Sequence, residues 1–158
     1  MDPRKKAFGM ALGHLSRRSR SLMEMTDYLS KKGFDPLVVD SIVQRLRSED
    51  YLNDKTFAKN YLENRKRNKP KSLFAFRYEL GNKGIHPAII DESLAGYDDL
   101  ELASLAVGPK VRLWQHLDGE SLKKKVYGYL RYRGFSFSVI QSTWQNIFDS
   151  QSGPDKVK

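Results

Sequence analysis

The sequence repeats one glycine-centred pattern three times. Gly33, Gly84 and Gly134 stand 51 and 50 residues apart. A cation precedes each glycine, a large apolar residue follows it, and apolar residues stand four and eight positions before it. These spacings place the apolar residues on one face of a helix that ends at the glycine, which closes the helix in a left-handed conformation. Three such copies constrain the chain to a repeat of helical modules.

Each glycine is flanked by further predicted helices. The helix after it is amphipathic, and in two copies it starts with proline, at Pro36 and Pro87, where the missing N–H is harmless. Another helix precedes each glycine-ended helix. The predicted spans of these preceding helices are 5–16, 55–67 and 100–117. Because Gly108-Pro109 interrupts the last span, it is either one kinked helix or two short ones.

The fold that follows is all-α, with nine helices in three triplets and no strand. The predicted domains are three-helix repeats at 5–49, 53–98 and 99–148, followed by a disordered tail at 149–158. A triplet alone buries little apolar surface, so neighbouring triplets must stack. We therefore expect three tandem three-helix repeats stacked into an elongated, curved array.

Charge is distributed unevenly along the chain. The 158 residues have 28 Lys and Arg against 19 Asp and Glu, a net charge of +9. By segment, the net charge is +8 over residues 1–71, −4 over residues 72–120 and +5 over residues 121–158. A basic surface of this kind favours an anionic partner, either nucleic acid or an acidic protein face.

The composition narrows the possible chemistry. Without cysteine the chain forms neither disulfides nor thiolate metal sites, and no apolar run reaches membrane-spanning length. His14, His86 and His116 are far apart, and the acidic run from Asp98 to Glu101 suits a helix start. We therefore predict no catalytic residue, cofactor or metal site, and expect a cytoplasmic monomer that is not an enzyme.

Basic residues cluster at the same place in each repeat, in the segment that connects to the glycine-ended helix or at the start of that helix. The clusters comprise Arg17, Arg18 and Arg20; Arg65, Lys66, Arg67, Lys69 and Lys71; and Lys123 and Lys124. If the repeats stack in one orientation, these groups form a stripe that suits phosphates or acidic protein loops. The alternative is that these cations are simply solvated side chains in connecting segments.

Aromatic residues accompany the third cluster. Lys123, Tyr127 and Arg131 follow one another at i, i+4 and i+8, and so share one helix face. Exposed tyrosines beside arginines are good interface anchors, and they also stack nucleobases. The alternative, which the sequence leaves open, is that these tyrosines fill the core of a small repeat.

Five runs of sequence resemble one family of bacterial regulators. They are ALGHLSRR at 11–18, KKGF at 31–34, EDYLNDKTFA at 49–58, RYELGNKGI at 77–85 and RYRGFSFSVI at 131–140. In this order and spacing, they resemble RecX, the regulator of the RecA recombinase. The resemblance covers residues 7–148.

The resemblance implies tandem three-helix repeats and a binding function. Its implied partners are the RecA protein and the RecA–DNA filament, with a weak direct contact to DNA. A RecX-like protein would lodge in the filament groove and modulate, mostly inhibit, ATP hydrolysis, strand exchange and coprotease activity.

Two other functions compete with this interpretation. Helix pairs around a glycine also resemble DNA-binding helix-turn-helix proteins. However, the second helices, at 88–97 and 137–148, contain no Lys or Arg to contact base edges. A helical nuclease would require a cluster of metal-binding carboxylates, which the sequence does not indicate.

Overall fold

The computed structural model describes residues 1–151, and every regular element in that range is an α-helix. The helices are α1 (Pro3–Arg17), α2 (Leu22–Lys31), α3 (Pro36–Ser48), α4 (Asp54–Asn68), α5 (Leu73–Asn82), α6 (Pro87–Leu94), α7 (Asp99–Leu113), α8 (Gly119–Tyr132) and α9 (Phe137–Gln151). The all-α fold with nine helices over this range is confirmed. None of these helices is long and apolar enough to cross a membrane.

The three glycines close the central helices α2, α5 and α8 as predicted. Gly33, Gly84 and Gly134 have φ angles of 90°, 77° and 90°, in the left-handed region. The residue after each glycine donates its backbone N–H to the carbonyl five positions earlier, as from Phe34 to Leu29 at 3.4 Å. This bond satisfies a carbonyl that the helix end leaves free.

Helix α7 resolves the alternative left open at Gly108-Pro109. It runs unbroken from Asp99 to Leu113 with Pro109 inside it, and Asp98 caps its start. Pro109 is exposed, so the carbonyl that loses its donor lies on the solvent side of the helix. The helix ends before the predicted 117 because a turn follows and Asp118 already caps α8.

The predicted start of the tail at 149 is wrong by three residues. Helix α9 continues to Gln151. One contact that supports its last turn is a 3.0 Å hydrogen bond from Gln145 Nε2 to Asp149 Oδ1, a pair spaced i, i+4 on one helix face. The rest of the predicted tail, 152–158, lies outside the described residues.

Contacts divide the chain into two units. Unit 1 comprises residues 1–61 and 79–93, and its core lies between α1, α2 and α3 around Met25, Leu29 and Leu46. Unit 2 comprises residues 62–78 and the chain from 94 onward, and its buried residues in α7, α8 and α9 include Val107 and Leu130. The division passes through α4 and α5 and before the last residue of α6, so the middle triplet contributes to both units. The limits of the three repeats stay a prediction.

One contact, which we call the joint, recurs in each unit. In unit 1, Ser21 caps α2 and its Oγ donates to the carbonyl of Lys83, at the end of α5, at 2.7 Å. In unit 2, Ser72 caps α5 and its N–H donates to the carbonyl of Arg133, at the end of α8, at 3.1 Å. Both serines are fully buried. The start of one central helix therefore meets the end of the next.

A carboxylate completes each joint. The first backbone N–H of α2, on Leu22, donates to Asp54 Oδ1 at 2.9 Å. The equivalent N–H of α5, on Leu73, donates to Asp99 Oδ1 at 2.8 Å. These aspartates begin α4 and α7, so each satisfies a free N–H at the start of a neighbouring helix. The predicted role of the acidic run near Asp99 as a helix start is confirmed.

The joints predict a graded response to alanine at the three glycines. A Cβ at Gly84 would lie 2.6 Å from Met23 Cβ, and one at Gly134 would lie 2.7 Å from Ser72 Oγ, whereas one at Gly33 would meet nothing within 4 Å. Gly33→Ala should cost about 1–2 kcal/mol of backbone strain. Gly84→Ala and Gly134→Ala should cost roughly 1–3 kcal/mol more from the clash. Urea denaturation measures these differences.

Gly9→Ala is the matched control. Gly9 lies inside α1, has no left-handed backbone angle and has open space around it. Alanine should stabilise the protein there by roughly 0.5–1 kcal/mol. Equal losses at all three left-handed glycines would contradict the close contact assigned to the joints.

Candidate interaction surface

The first basic cluster is largely committed to the joint of unit 1. Arg18 Nη2 forms an ion pair with Glu24 Oε2 at 2.7 Å. Arg20 is half-buried, donates from Nη2 to the carbonyl of His14 at 3.4 Å, and has a buried Nε without a hydrogen-bond partner. Arg17 is exposed. Of these three cations, Arg17 is the most accessible to a partner.

Glu24 is the centre of this charged network. Besides Arg18, Lys83 Nζ contacts its carboxylate at 3.1 Å, and the N–H of Ser21 donates to it at 3.1 Å. Burial alone would raise the pKa of Glu24, but the hydrogen bonds from Arg18, Ser21 and Lys83 outweigh burial and lower the pKa to about 2. Arg18 is therefore a structural counter-charge.

In the second basic cluster, one cation forms an ion pair within the protein and two are exposed to solvent. Lys66 Nζ lies 2.9 Å from Glu101 Oε1 and 5.3 Å from the centre of the Tyr97 ring. The hydrogen bond to Glu101 raises the pKa of Lys66. Arg67 and Lys69 are exposed. Arg65 and Lys71 are half-buried and have contacts of their own.

The cations of the third cluster are accessible to a binding partner. Lys123, Lys124 and Arg131 are exposed, and within residues 1–151 no ion pair engages them. Lys123 Nζ lies 5.5 Å from the centre of the Tyr127 ring. The predicted helix face of Lys123, Tyr127 and Arg131 therefore presents cations and an aromatic ring together.

A groove runs beside this face. Its volume is about 240 Å³, and its lining comprises Tyr127, Gly128, Arg131, Phe135, Phe137 and Ile140. Tyr127 packs edge-on against Phe137, with ring centres 6.1 Å apart. Phe137 remains 68% exposed. Tyr127 is therefore half-buried at the edge of the core. Its position is intermediate between an exposed interface anchor and a side chain that fills the core. We call Lys123, Tyr127, Arg131 and Phe137 the aromatic–basic face.

Phe137 is not among the residues predicted from the sequence, although the sequence contains a signal for it. It stands three positions after its glycine, where the first two copies have Pro36 and Pro87. A proline at this place only starts a helix. The exposed phenylalanine of the third copy instead forms one wall of the groove.

Two of the three histidines, His14 and His86, have structural contacts. The His14 ring stacks on Tyr28 with centres 3.7 Å apart, and burial lowers its pKa. His86 Nδ1 accepts a hydrogen bond from the N–H of Ala88, which caps α6. Among residues 1–151, no group of three or more His, Cys, Asp or Glu side chains is placed to hold a metal ion.

Three sequence models of one protein family match this chain in succession. Sequence models for the first, second and third three-helix domains of RecX match residues 7–46, 53–94 and 97–144. The chain belongs to the RecX family. The resemblance noted in the sequence is thereby confirmed, and the three tandem RecX domains agree with the all-helical fold.

Individual RecX proteins show the extent of the likeness. The regulatory protein RecX of Chlorobium phaeobacteroides is 33% identical over 148 residues, covering 92% of this chain and 96% of the relative. That of Bacillus pumilus is 33% identical over 153 residues, covering 95% of this chain but only 58% of the longer relative. The crystal structure of RecX from Lactobacillus salivarius shares the fold, with a TM-score of 0.77 at 23% identity over 93% of this chain and 97% of that one.

The Glu24 network makes the free energy of unfolding depend on pH in the acidic range. The pKa of Glu24 falls from 4.5 to about 2 on folding, so the unfolded chain binds more protons between these values. The stabilisation is complete above about pH 4.5 and is lost as pH falls toward 2. Glu24→Gln should remove roughly 1–2 kcal/mol at pH 7, less than the full pKa shift implies because solvent screens this partly exposed network, and much less at pH 2. Urea denaturation across this range measures both.

Glu63→Gln is the matched control because Glu63 is an exposed carboxylate outside this network. It should leave the slope of stability against pH between 2 and 4.5 unchanged. A Glu24→Gln variant with the wild-type slope would contradict the role assigned to this network.

Proposed function

We propose that the protein binds RecA and the RecA–DNA filament through the aromatic–basic face. Membership of the RecX family supports RecA as the partner. The observation on which the proposal rests is that Lys123 and Arg131 are exposed and form no ion pair within residues 1–151, while Tyr127 and Phe137 stand beside them. Aromatic and arginine side chains that partners can bury are typical of strong interface contacts.

The proposed effect on RecA follows from differential binding. A protein that adds no chemistry changes a filament only by favouring one of its states over the others. Binding in the filament groove would therefore slow ATP hydrolysis, strand exchange and coprotease activity by stabilising a less active state. Positive charge on the aromatic–basic face suits acidic protein loops, and it also suits the phosphates of bound DNA.

Direct binding to DNA is the second candidate function. Its support is the exposed positive charge of Arg17, Arg67, Lys69 and Lys124. Such contacts would neutralise phosphates without reading sequence, because none of these four cations lies in a helix that follows a left-handed glycine, and two of those three helices, α6 and α9, contain no Lys or Arg. Binding to DNA without RecA should therefore weaken steeply as salt rises and show no sequence preference.

An ATPase assay tests the principal proposal. RecA on single-stranded DNA is titrated with the wild-type protein and with a Tyr127→Ala/Arg131→Glu variant. We expect the wild type to lower ATP hydrolysis and the variant to need at least about tenfold more protein, because loss of two interface anchors costs more than about 1.4 kcal/mol. Circular dichroism confirms that the variant stays helical.

Lys59→Glu is the matched control. Lys59 is an exposed cation of α4 outside all three clusters, so its reversal changes net charge equally without touching the aromatic–basic face. It should inhibit like the wild type. If the wild type neither binds the filament nor changes its ATPase, the proposal is wrong. If Lys59→Glu weakens inhibition as much as the double variant, only net charge matters.

A second pair of variants separates open from structural charge in α4. Arg67→Glu with Lys69→Glu should weaken filament binding without changing stability, because both side chains are exposed. Lys66→Glu should lower stability as well, because it places a carboxylate beside Glu101, where the ion pair now stands. Filament pull-downs and thermal denaturation of the same preparations measure both effects. Unchanged binding by the Arg67/Lys69 variant would show that this part of the cluster is merely solvated.

A further inference from the structure

The first repeat presents the receiving half of a joint, and no segment of residues 1–151 occupies it. In the two joints, the residues around Gly84 and Gly134 are covered by the start of a preceding central helix. The equivalent residues of the first repeat surround Gly33, and a Cβ there would meet nothing within 4 Å. Within residues 1–151, the end of α2 therefore has the glycine and backbone of a receiving site but no helix seated on it. It differs from the two joints in one respect, because α1 begins with Pro3 where α4 and α7 begin with the joint carboxylates Asp54 and Asp99.

Burial at equivalent positions supports this. The apolar residue after the glycine is 3% exposed at Ile85 and 5% exposed at Phe135. Phe34, the equivalent residue of the first repeat, is only half-buried. The preceding cation behaves in the same way, since Lys83 and Arg133 are half-buried and Lys32 is exposed.

A groove marks the open site. Its volume is about 630 Å³, and its lining includes Met10, Lys32, Gly33, Phe34 and Val38. The joint of unit 1 has a cavity lined at matching positions, by Gly84 and by the residues two and five places after it, and there Leu22 of α2 also lines the space. The groove at Gly33 thus corresponds to the site that Leu22 occupies at the joint.

We propose that this groove binds the N-terminal end of a helix from a partner protein. The joint of unit 1 specifies the chemistry of that end. A serine or threonine cap would donate to the Lys32 carbonyl, as Ser21 donates to Lys83. An apolar residue would follow it into the groove. An acid at the third helical position would meet the Lys32 ammonium, as Glu24 meets Lys83 at 3.1 Å.

Among the helix starts of residues 1–151, a second copy of this chain does not supply such an end. The exposed serine cap of α9, Ser136, is followed by Phe137, but Val139 rather than an acid stands at the third helical position. Ser21 and Ser72 are buried in their own joints. In the third repeat, Leu122 stands at the position of these serines, twelve residues before Gly134. Helix α8 also starts three residues before that position, at Gly119, so its first turn would occupy the space that the groove offers to a cap. The proposed occupant is a different protein whose helix start has a serine or threonine cap and an acid at the third position.

A helix-locked peptide tests the proposal without RecA, so its result is independent of the proposed function. The probe reproduces residues 21–31, SLMEMTDYLSK, with a hydrocarbon staple joining positions 26 and 30, which are exposed in α2. Fluorescence anisotropy with the full chain should show saturable binding, and NMR should show the largest amide shifts at Gly33 and Phe34. Lys32→Glu should weaken binding by about tenfold.

Charge exchange provides the specific control. A peptide with Glu24→Lys should bind the wild type poorly and should regain affinity for the Lys32→Glu protein. Lys31→Glu, at the neighbouring exposed lysine, should bind the original peptide normally. No saturable binding, equal binding of both peptides to the wild type, or largest shifts at Gly84 would overturn the proposal. Self-association of the chain that Lys32→Glu abolishes would also overturn it, because the occupant would then be a second copy.

Discussion

The structure depends on the contact between a buried serine and the carbonyl end of another helix. Ser21 and Ser72 each satisfy free groups at the start of their own helix and at the end of the next central helix. A buried polar group without a partner costs about 1–3 kcal/mol, so both helix ends are fixed relative to each other. The left-handed glycines are part of the same contact, because a Cβ at Gly84 or Gly134 would collide with the incoming helix.

This contact also determines which charges remain for a partner. Around the joint of unit 1, Glu24 draws in Arg18 and Lys83, and in unit 2 Glu101 draws in Lys66. Cations that looked alike in the sequence therefore divide into structural counter-charges and open charges. The open ones are concentrated where the third repeat departs from the first two, at Lys123, Lys124 and Arg131.

Departures from the repeat are accordingly the places where function is expected. The third copy replaces the helix-starting proline with Phe137, which helps form the aromatic–basic face. The first copy retains the receiving end at Gly33 but has no helix seated on it. Positions that obey the repeat hold the helices together. At Phe137 and at the end of α2, positions that break it present exposed groups, whereas Leu122, which replaces the joint serine in the third copy, is buried.

The sequence by itself determined the nine helices of residues 1–151 and the left-handed glycines, because helix ends and apolar periodicity are local properties that spacing reveals. Membership of the RecX family was likewise visible in the order of the motifs. Only the tertiary structure decided which cations form ion pairs and how far Phe137 is exposed. Whether Arg18 meets Glu24, or Lys66 meets Glu101, depends on residues 6 and 35 positions apart that packing brings within 3 Å. Local sequence does not encode such distances, so composition could indicate a basic surface but not which of its charges are free.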